Sequence, residues 1–156
     1  MTILGPVFVV FLTTISVQGK PVCGYKIEEI YVEKCEQAFA DNKPYPGRLC
    51  QMRKLRMQKV TSITEEYVEC VLNQLGYLDT EGKISVTAVL QDYHKFGVAD
   101  KDDTVRDLLK ACEVEFGSGD KSVYHRLCIK SERDFTKVIN ARTALEGWRP
   151  KDPVCK

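Results

Sequence analysis

The sequence predicts an all-α protein, a single disulfide-stapled bundle of about seven helices. Apolar residues recur at helical spacing along most of the chain, turn-forming residues separate these segments, and seven cysteines are spread over 156 residues. The clearest helix begins at Ser62, which forms a capping box pattern with Glu65, and ends at Gly76. Cys70 lies in the middle of this helix, so a bridge from it must reach a neighbouring element.

Residues 1–19 are predicted to be a signal peptide, and residues 20–156 a single domain. The segment has no charged side chain, and its apolar run, Val7–Ile15, is too short to span a bilayer. It departs from the usual pattern because no Lys or Arg precedes the run, and a buried N-terminal strand or helix is the alternative. The prediction implies a secreted protein, and no second hydrophobic segment is long enough to cross a membrane.

The domain divides into successive helices by its apolar periodicity. Besides the helix that contains Cys70, the predicted helices cover Ile27–Phe39, Gly47–Gln58, Ile84–Phe96, Val105–Phe116, Lys121–Lys130 and Phe135–Leu145. Ser131 and Asp134 open the last of these, and the tail after Gly147 contains two prolines and is predicted to be irregular.

Charge and motif content exclude several function classes. The 23 basic and 22 acidic residues nearly cancel, which argues against a nucleic acid polymer as partner, and the basic stretch Arg48–Lys59 fits an amphipathic helix better than a polyanion site. The chain lacks a Cys-x-x-Cys pair, a phospholipase calcium loop, a Gly-x-Ser-x-Gly elbow, a His-Glu-x-x-His motif and a P-loop. The sequence therefore predicts neither a metal site nor a cofactor, and it disfavours an enzyme.

All seven cysteines follow the predicted leader, and they indicate a disulfide framework in a secreted protein. Six paired cysteines allow fifteen connectivities, among which spacing cannot choose, and the odd count leaves one thiol over.

An ordered set of sequence words resembles a known family. The set comprises Leu49-Cys50, Tyr67-Val-Glu-Cys-Val-Leu72, Asp92-Tyr-His-Lys95, Leu109-Lys-Ala-Cys112, Val123-Tyr-His-Arg-Leu-Cys-Ile-Lys-Ser131, Phe135-Thr-Lys-Val138 and the final Cys155. Together these words resemble the short salivary proteins of blood-feeding mosquitoes and flies, the D-seven family, which is a branch of the insect odorant-binding superfamily. The resemblance covers nearly all of residues 20–156.

The resemblance implies an odorant-binding-like fold and a particular set of disulfides. The implied pairs are Cys35 with Cys70, Cys50 with Cys155 and Cys112 with Cys128, which leaves Cys23 unpaired. It also implies a secreted salivary protein, expected to be a monomer, that binds small host mediators in a pocket and sequesters them without catalysis.

The positions that bind biogenic amines in the family are not charged in this chain. Where amine-binding members carry an aromatic-Asp pair and a Glu one turn later, this chain has Ile139, Asn140 and Thr143. Arg126 replaces an expected tyrosine, Tyr67 or Glu69 replaces an expected histidine, and a pocket arginine is retained as Arg53. The implied ligand-binding residues are therefore Arg53, Tyr67, Arg126, Ile139, Asn140 and Thr143.

A neutral or positive pocket favours eicosanoids, fatty acids or nucleotides over the family's amines, with Arg53 and Arg126 as partners of the anionic head. Alternatively, both arginines are solvated surface residues. Two other functions stay open: a general carrier of odorants or lipids, and an inhibitor of clotting or platelets that acts through its surface.

Overall fold

The computed structural model describes residues 26–56, 59–116 and 122–156, and within these ranges the chain is all-α as predicted. These described residues form seven α-helices and two 3₁₀ helices, and their β pairing is one isolated bridge between Leu78 and Ile84. The α-helices are α1 (Glu33–Gln37), α2 (Pro46–Arg53), α3 (Ser62–Leu75), α4 (Val86–Lys95), α5 (Asp102–Phe116), α6 (Ser122–Cys128) and α7 (Phe135–Leu145), and the 3₁₀ helices are Ala40–Asn42 and Ile129–Ser131. The predicted signal peptide and Cys23 lie outside the described residues. In the described ranges, every helix is too short or too polar to cross a membrane.

Helix α3 contributes the centre of the core, and Thr61 caps it rather than Ser62. The Thr64 N–H donates to Thr61 Oγ1 (3.4 Å) and the Thr61 N–H donates to Thr64 Oγ1 (2.8 Å), so the capping box is one residue earlier than predicted. Gly76 ends the helix in the left-handed conformation, as predicted. Between these ends, α3 buries Tyr67, Val68, Val71 and Leu72 almost completely.

The first helix is shorter than predicted because residues 26–32 are not helical. The Ile30 N–H donates to the Arg53 carbonyl (2.9 Å), and the Tyr31 N–H donates to the Trp148 carbonyl (3.0 Å). These bonds use the groups that an α-helix would need internally, so α1 begins only at Glu33. The N-terminal segment therefore runs between the end of α2 and the C-terminal tail.

The second helix also ends earlier than predicted. Helix α2 stops at Arg53, and Leu55 then adopts a left-handed backbone conformation with φ of 50° while its side chain is fully buried. The helix cannot continue through Leu55, since a left-handed residue does not fit a right-handed α-helix.

Three disulfides join elements that are distant in sequence. Cys35–Cys70 links α1 to α3, Cys112–Cys128 links α5 to α6, and Cys50–Cys155 links α2 to the tail. These are the pairs that the family resemblance implies. The third bond joins residues 105 positions apart and holds the tail against α2.

Candidate ligand-binding site

A cleft of about 570 Å³ opens to solvent between the N-terminal segment, α2 and the tail. We call it the tail cleft; its lining includes Tyr31, Glu36, Lys43, Leu49, Arg53 and Val154. A neighbouring cavity of about 270 Å³ shares Tyr31, Glu36 and Lys43 and reaches Phe39 under α1. The tail cleft has the size of a small-molecule site.

Glu29 holds the tail in place along one wall of the tail cleft. Its buried carboxylate accepts hydrogen bonds from the Val154 N–H (3.0 Å) and the Cys155 N–H (2.6 Å). Burial alone would raise the pKa of Glu29, but these two bonds and the Arg53 guanidinium outweigh it, so the pKa lies below its ordinary value. The carboxylate is therefore ionised at neutral pH and fixes an otherwise irregular tail.

Arg53 lies at the floor of the tail cleft with both flanking carboxylates bound to it. Its Nε and Nη2 donate to the two Glu36 oxygens (2.6 and 3.0 Å), and its Nη1 donates to Glu29 (3.2 Å). The guanidinium also lies 5.0 Å from the centroid of the Tyr31 ring. Burial works to lower the pKa of Arg53, but the two carboxylates raise it, so the guanidinium stays charged.

Tyr67 supports the tail cleft from beneath and does not line it. Its side chain is 1% exposed, and its hydroxyl donates to the Ile30 carbonyl (2.6 Å). Burial is the main reason that the pKa of Tyr67 is raised. Tyr67 therefore fixes the N-terminal segment and does not offer its hydroxyl to a ligand.

The three predicted residues of α7 bind the protein's own backbone or pack in its core. The Asn140 amide accepts from the Glu28 N–H (2.9 Å) and donates to the Lys26 carbonyl (3.0 Å). The buried Thr143 hydroxyl donates to the Ile139 carbonyl (2.8 Å), and Ile139 is fully buried in the core. Asn140 thereby attaches the N-terminal segment to α7.

Arg126 belongs to a different part of the molecule. Its Nε donates to the Gly82 carbonyl (3.1 Å), and its Nη1 lies 3.2 Å from Glu69 on α3. The structure thus does not bring the six predicted residues into one pocket: among them, only Arg53 lines the tail cleft. Most of the polar groups of these six residues are bound within the protein.

The sequence prediction missed Glu29, Tyr31 and the tail residues. Glu29 falls between Ile27 and Ile30, where a helical interpretation treats it as solvated, and its partners in the tail follow 125 and 126 residues later. In the described ranges, no three His, Cys, Asp or Glu residues are grouped to hold a metal ion.

The comparison with protein families identifies this architecture. Residues 26–132, more than half of the chain, match the PBP/GOBP family. The chain belongs to the PBP/GOBP family. The chain is also similar to a short-form salivary protein of the D-seven type from Culex quinquefasciatus. The two sequences are 33% identical over 125 residues, which cover 80% of this chain and 77% of the relative. The similarity supports the D-seven branch inferred from the sequence words.

This PBP/GOBP protein is therefore an odorant-binding-like, ligand-binding protein. The family match ends at residue 132, before α7 and the tail. One wall of the tail cleft is thus built by a segment that follows the matched family core.

Proposed function

We propose that the protein is a secreted salivary ligand-binding protein that sequesters host haemostatic or inflammatory mediators. The observation that carries this proposal is a cleft of about 570 Å³ with a fixed floor in a member of a ligand-binding family. Residues 1–19 act as the signal peptide, and residues 20–156 work as a monomer. Binding is stoichiometric, so the affinity must be high enough to lower the concentration of free ligand below the level that activates its receptor.

The charges around the tail cleft disfavour the biogenic amines. An ammonium needs a carboxylate partner in a desolvated site, but Glu29 and Glu36 both bind Arg53. Asn140 and Thr143, which replace the family's acidic residues, are neutral and bound to backbone. To pair with either of these buried carboxylates, an amine would have to displace the arginine, which opposes binding. The other two carboxylates of the lining, Glu33 and Asp152, are exposed, so water screens their attraction for an ammonium.

The rim of the tail cleft suits a ligand with an anionic head and an apolar body. Lys43 and Lys151 line the cleft and make no ion pair within the described part of the chain. Glu33 and Asp152 also lie on the rim and reduce the positive field, so the head group must contact the lysines directly. Leu49 and Val154 supply apolar surface. Eicosanoids, fatty acids and nucleotides are the mediator classes with this chemistry.

Isothermal titration against serotonin, histamine, a leukotriene, a fatty acid and a nucleotide tests the proposal. We expect an anionic ligand to bind in the tail cleft and the amines to bind weakly or not at all. The variant Val154→Trp, which fills the tail cleft, should weaken binding at least about tenfold. The matched control is Leu145→Trp, which adds the same side chain at an exposed position of α7 that does not line the cleft.

Each opposing result has a defined meaning. Submicromolar serotonin affinity would contradict the charge argument while keeping a ligand-binding function. The absence of heat with every ligand would favour the surface-acting inhibitor. Expression outside salivary tissue would favour a general odorant or lipid carrier.

A further inference from the structure

A second cleft lies between α5, the segment 79–86 and the start of α6. It has a volume of about 370 Å³, and none of its lining residues lines the tail cleft. We call it the α5 cleft; the residues that matter to its chemistry are Ile84, Arg106, Leu109, Lys110, Glu113 and His125. Its occupancy is therefore independent of the tail cleft.

The loop that forms one rim of the α5 cleft is held in place by its own hydrogen bonds. The Asp79 carboxylate accepts from the Glu81 N–H (2.8 Å) and the Lys83 N–H (2.9 Å). From the other side, Arg126 Nε donates to the Gly82 carbonyl (3.1 Å). A rim fixed in this way does not have to be ordered when a ligand binds, so less binding energy is lost.

The carboxylates around the α5 cleft already have partners. Lys83 Nζ lies 3.3 Å from Glu81 and 3.0 Å from Glu113, and Asp79 binds its own turn. Arg106 and Lys110, one helical turn apart on α5, make no ion pair within the described ranges. The charges that remain free to meet a ligand in the α5 cleft are thus positive.

His125 adds a largely buried imidazole to the lining. It lines the α5 cleft, is only 7% exposed, and makes no hydrogen bond in the part of the chain that the structure describes. Burial is the main reason that the pKa of His125 is lowered, so its imidazole is neutral at neutral pH and offers one donor and one acceptor. Ile84 and Leu109 provide apolar surface beside it.

We propose that the α5 cleft is a second binding site, for a small organic anion with an apolar body. Arg106 and Lys110 bind the anionic group, His125 forms a hydrogen bond with the ligand, and Ile84 and Leu109 contact the apolar part. The structure thus assigns two independent ligand sites to one small domain.

The test uses the aromatic sulfonate 8-anilinonaphthalene-1-sulfonate as a probe of this chemistry. In titration calorimetry, Arg106→Glu combined with Lys110→Glu should weaken binding of the probe to the α5 cleft at least about tenfold. The matched control is Arg133→Glu with Lys137→Glu, which changes the net charge equally at two exposed positions with the same spacing. We expect the control to bind like the unmodified protein. The measurements are repeated with Val154→Trp added, so that the probe cannot occupy the tail cleft.

Nuclear magnetic resonance of the two histidines locates the probe. The sequence contains two histidines, His94 and His125. His94 is the internal reference because it does not line the α5 cleft; its Nε2 lies 2.6 Å from Asp102 Oδ1. We expect the His125 ring signals to shift on saturation with the probe, while those of His94 stay in place.

Three results would overturn the second site: equal weakening in both charge-reversal variants, His125 signals that do not move at saturation, or loss of all probe binding in Val154→Trp. The mediator panel tests ligand binding in the tail cleft separately, with the natural ligand classes instead of the probe.

Discussion

Replacing Glu29 with alanine should destabilise the protein more than any comparable change of a surface carboxylate. Glu29 is 8% exposed and accepts hydrogen bonds from the N–H groups of Val154 and Cys155 and from Arg53. A buried donor without a partner costs about 1–3 kcal/mol, and breaking a buried ion pair costs about 3–5 kcal/mol. Arg53 keeps Glu36, and the disulfide keeps the tail nearby, so these costs do not add fully. We expect a loss of about 3–5 kcal/mol in the free energy of unfolding.

Two further variants separate charge from shape in this prediction. Glu29→Gln keeps the size and one acceptor oxygen, and should lose about 1.5–3 kcal/mol. Glu28→Ala is the control, because the Glu28 side chain is 60% exposed and makes a single ion pair with Arg149, which contributes less than about 1 kcal/mol. Urea denaturation with the disulfides intact gives the three values. If Glu29→Ala lost no more stability than Glu28→Ala, the buried carboxylate would not be what holds the tail.

Three other predictions concern acid, the tail disulfide and the α3 cap. The pKa of Glu29 is lowered in the folded state, so its contribution to the free energy of unfolding is present above its ordinary pKa of 4.5 and is lost as the pH falls through the lower folded value. In acid titrations, Glu29→Gln should therefore lose less stability over that pH range than the unmodified protein does. Replacing both Cys50 and Cys155 with serine should lower the free energy of unfolding by about 4–5 kcal/mol, measured by urea denaturation, because the bond joins residues 105 positions apart. Thr61→Ala should cost about 1 kcal/mol in thermal unfolding and Ser62→Ala less than about 0.5 kcal/mol; the reverse order would restore Ser62 as the cap.

Elements set by local sequence could be predicted, and elements set by distant contacts could not. Helix α3 follows from its own apolar spacing and Gly76, and its cap was misplaced by one residue only because Thr61 and Ser62 are both good capping residues. Residues 26–32 have a helical apolar pattern, but their backbone bonds to Arg53 and Trp148 decide the conformation. No pattern within that segment reports those partners.

The same distinction applies to the candidate site. The family resemblance placed Arg53 in a binding region, and the structure puts it on the floor of the tail cleft. Its chemical state depends on Glu29 and Glu36, which are 24 and 17 residues earlier in the chain and belong to no recognised motif. The sequence shows that Asn140 is uncharged, but the hydrogen bond from its side-chain amide to the Lys26 carbonyl could be seen only in three dimensions.

The contact between Glu29 and Cys155 joins residues 126 positions apart in the chain. During synthesis, helices α3 to α6 can pack while the tail is still inside the ribosome, but the wall that the tail contributes to the tail cleft cannot form. A nascent or C-terminally shortened chain would therefore be largely helical and yet lack the tail cleft. Formation of the tail cleft is a step that follows emergence of the tail.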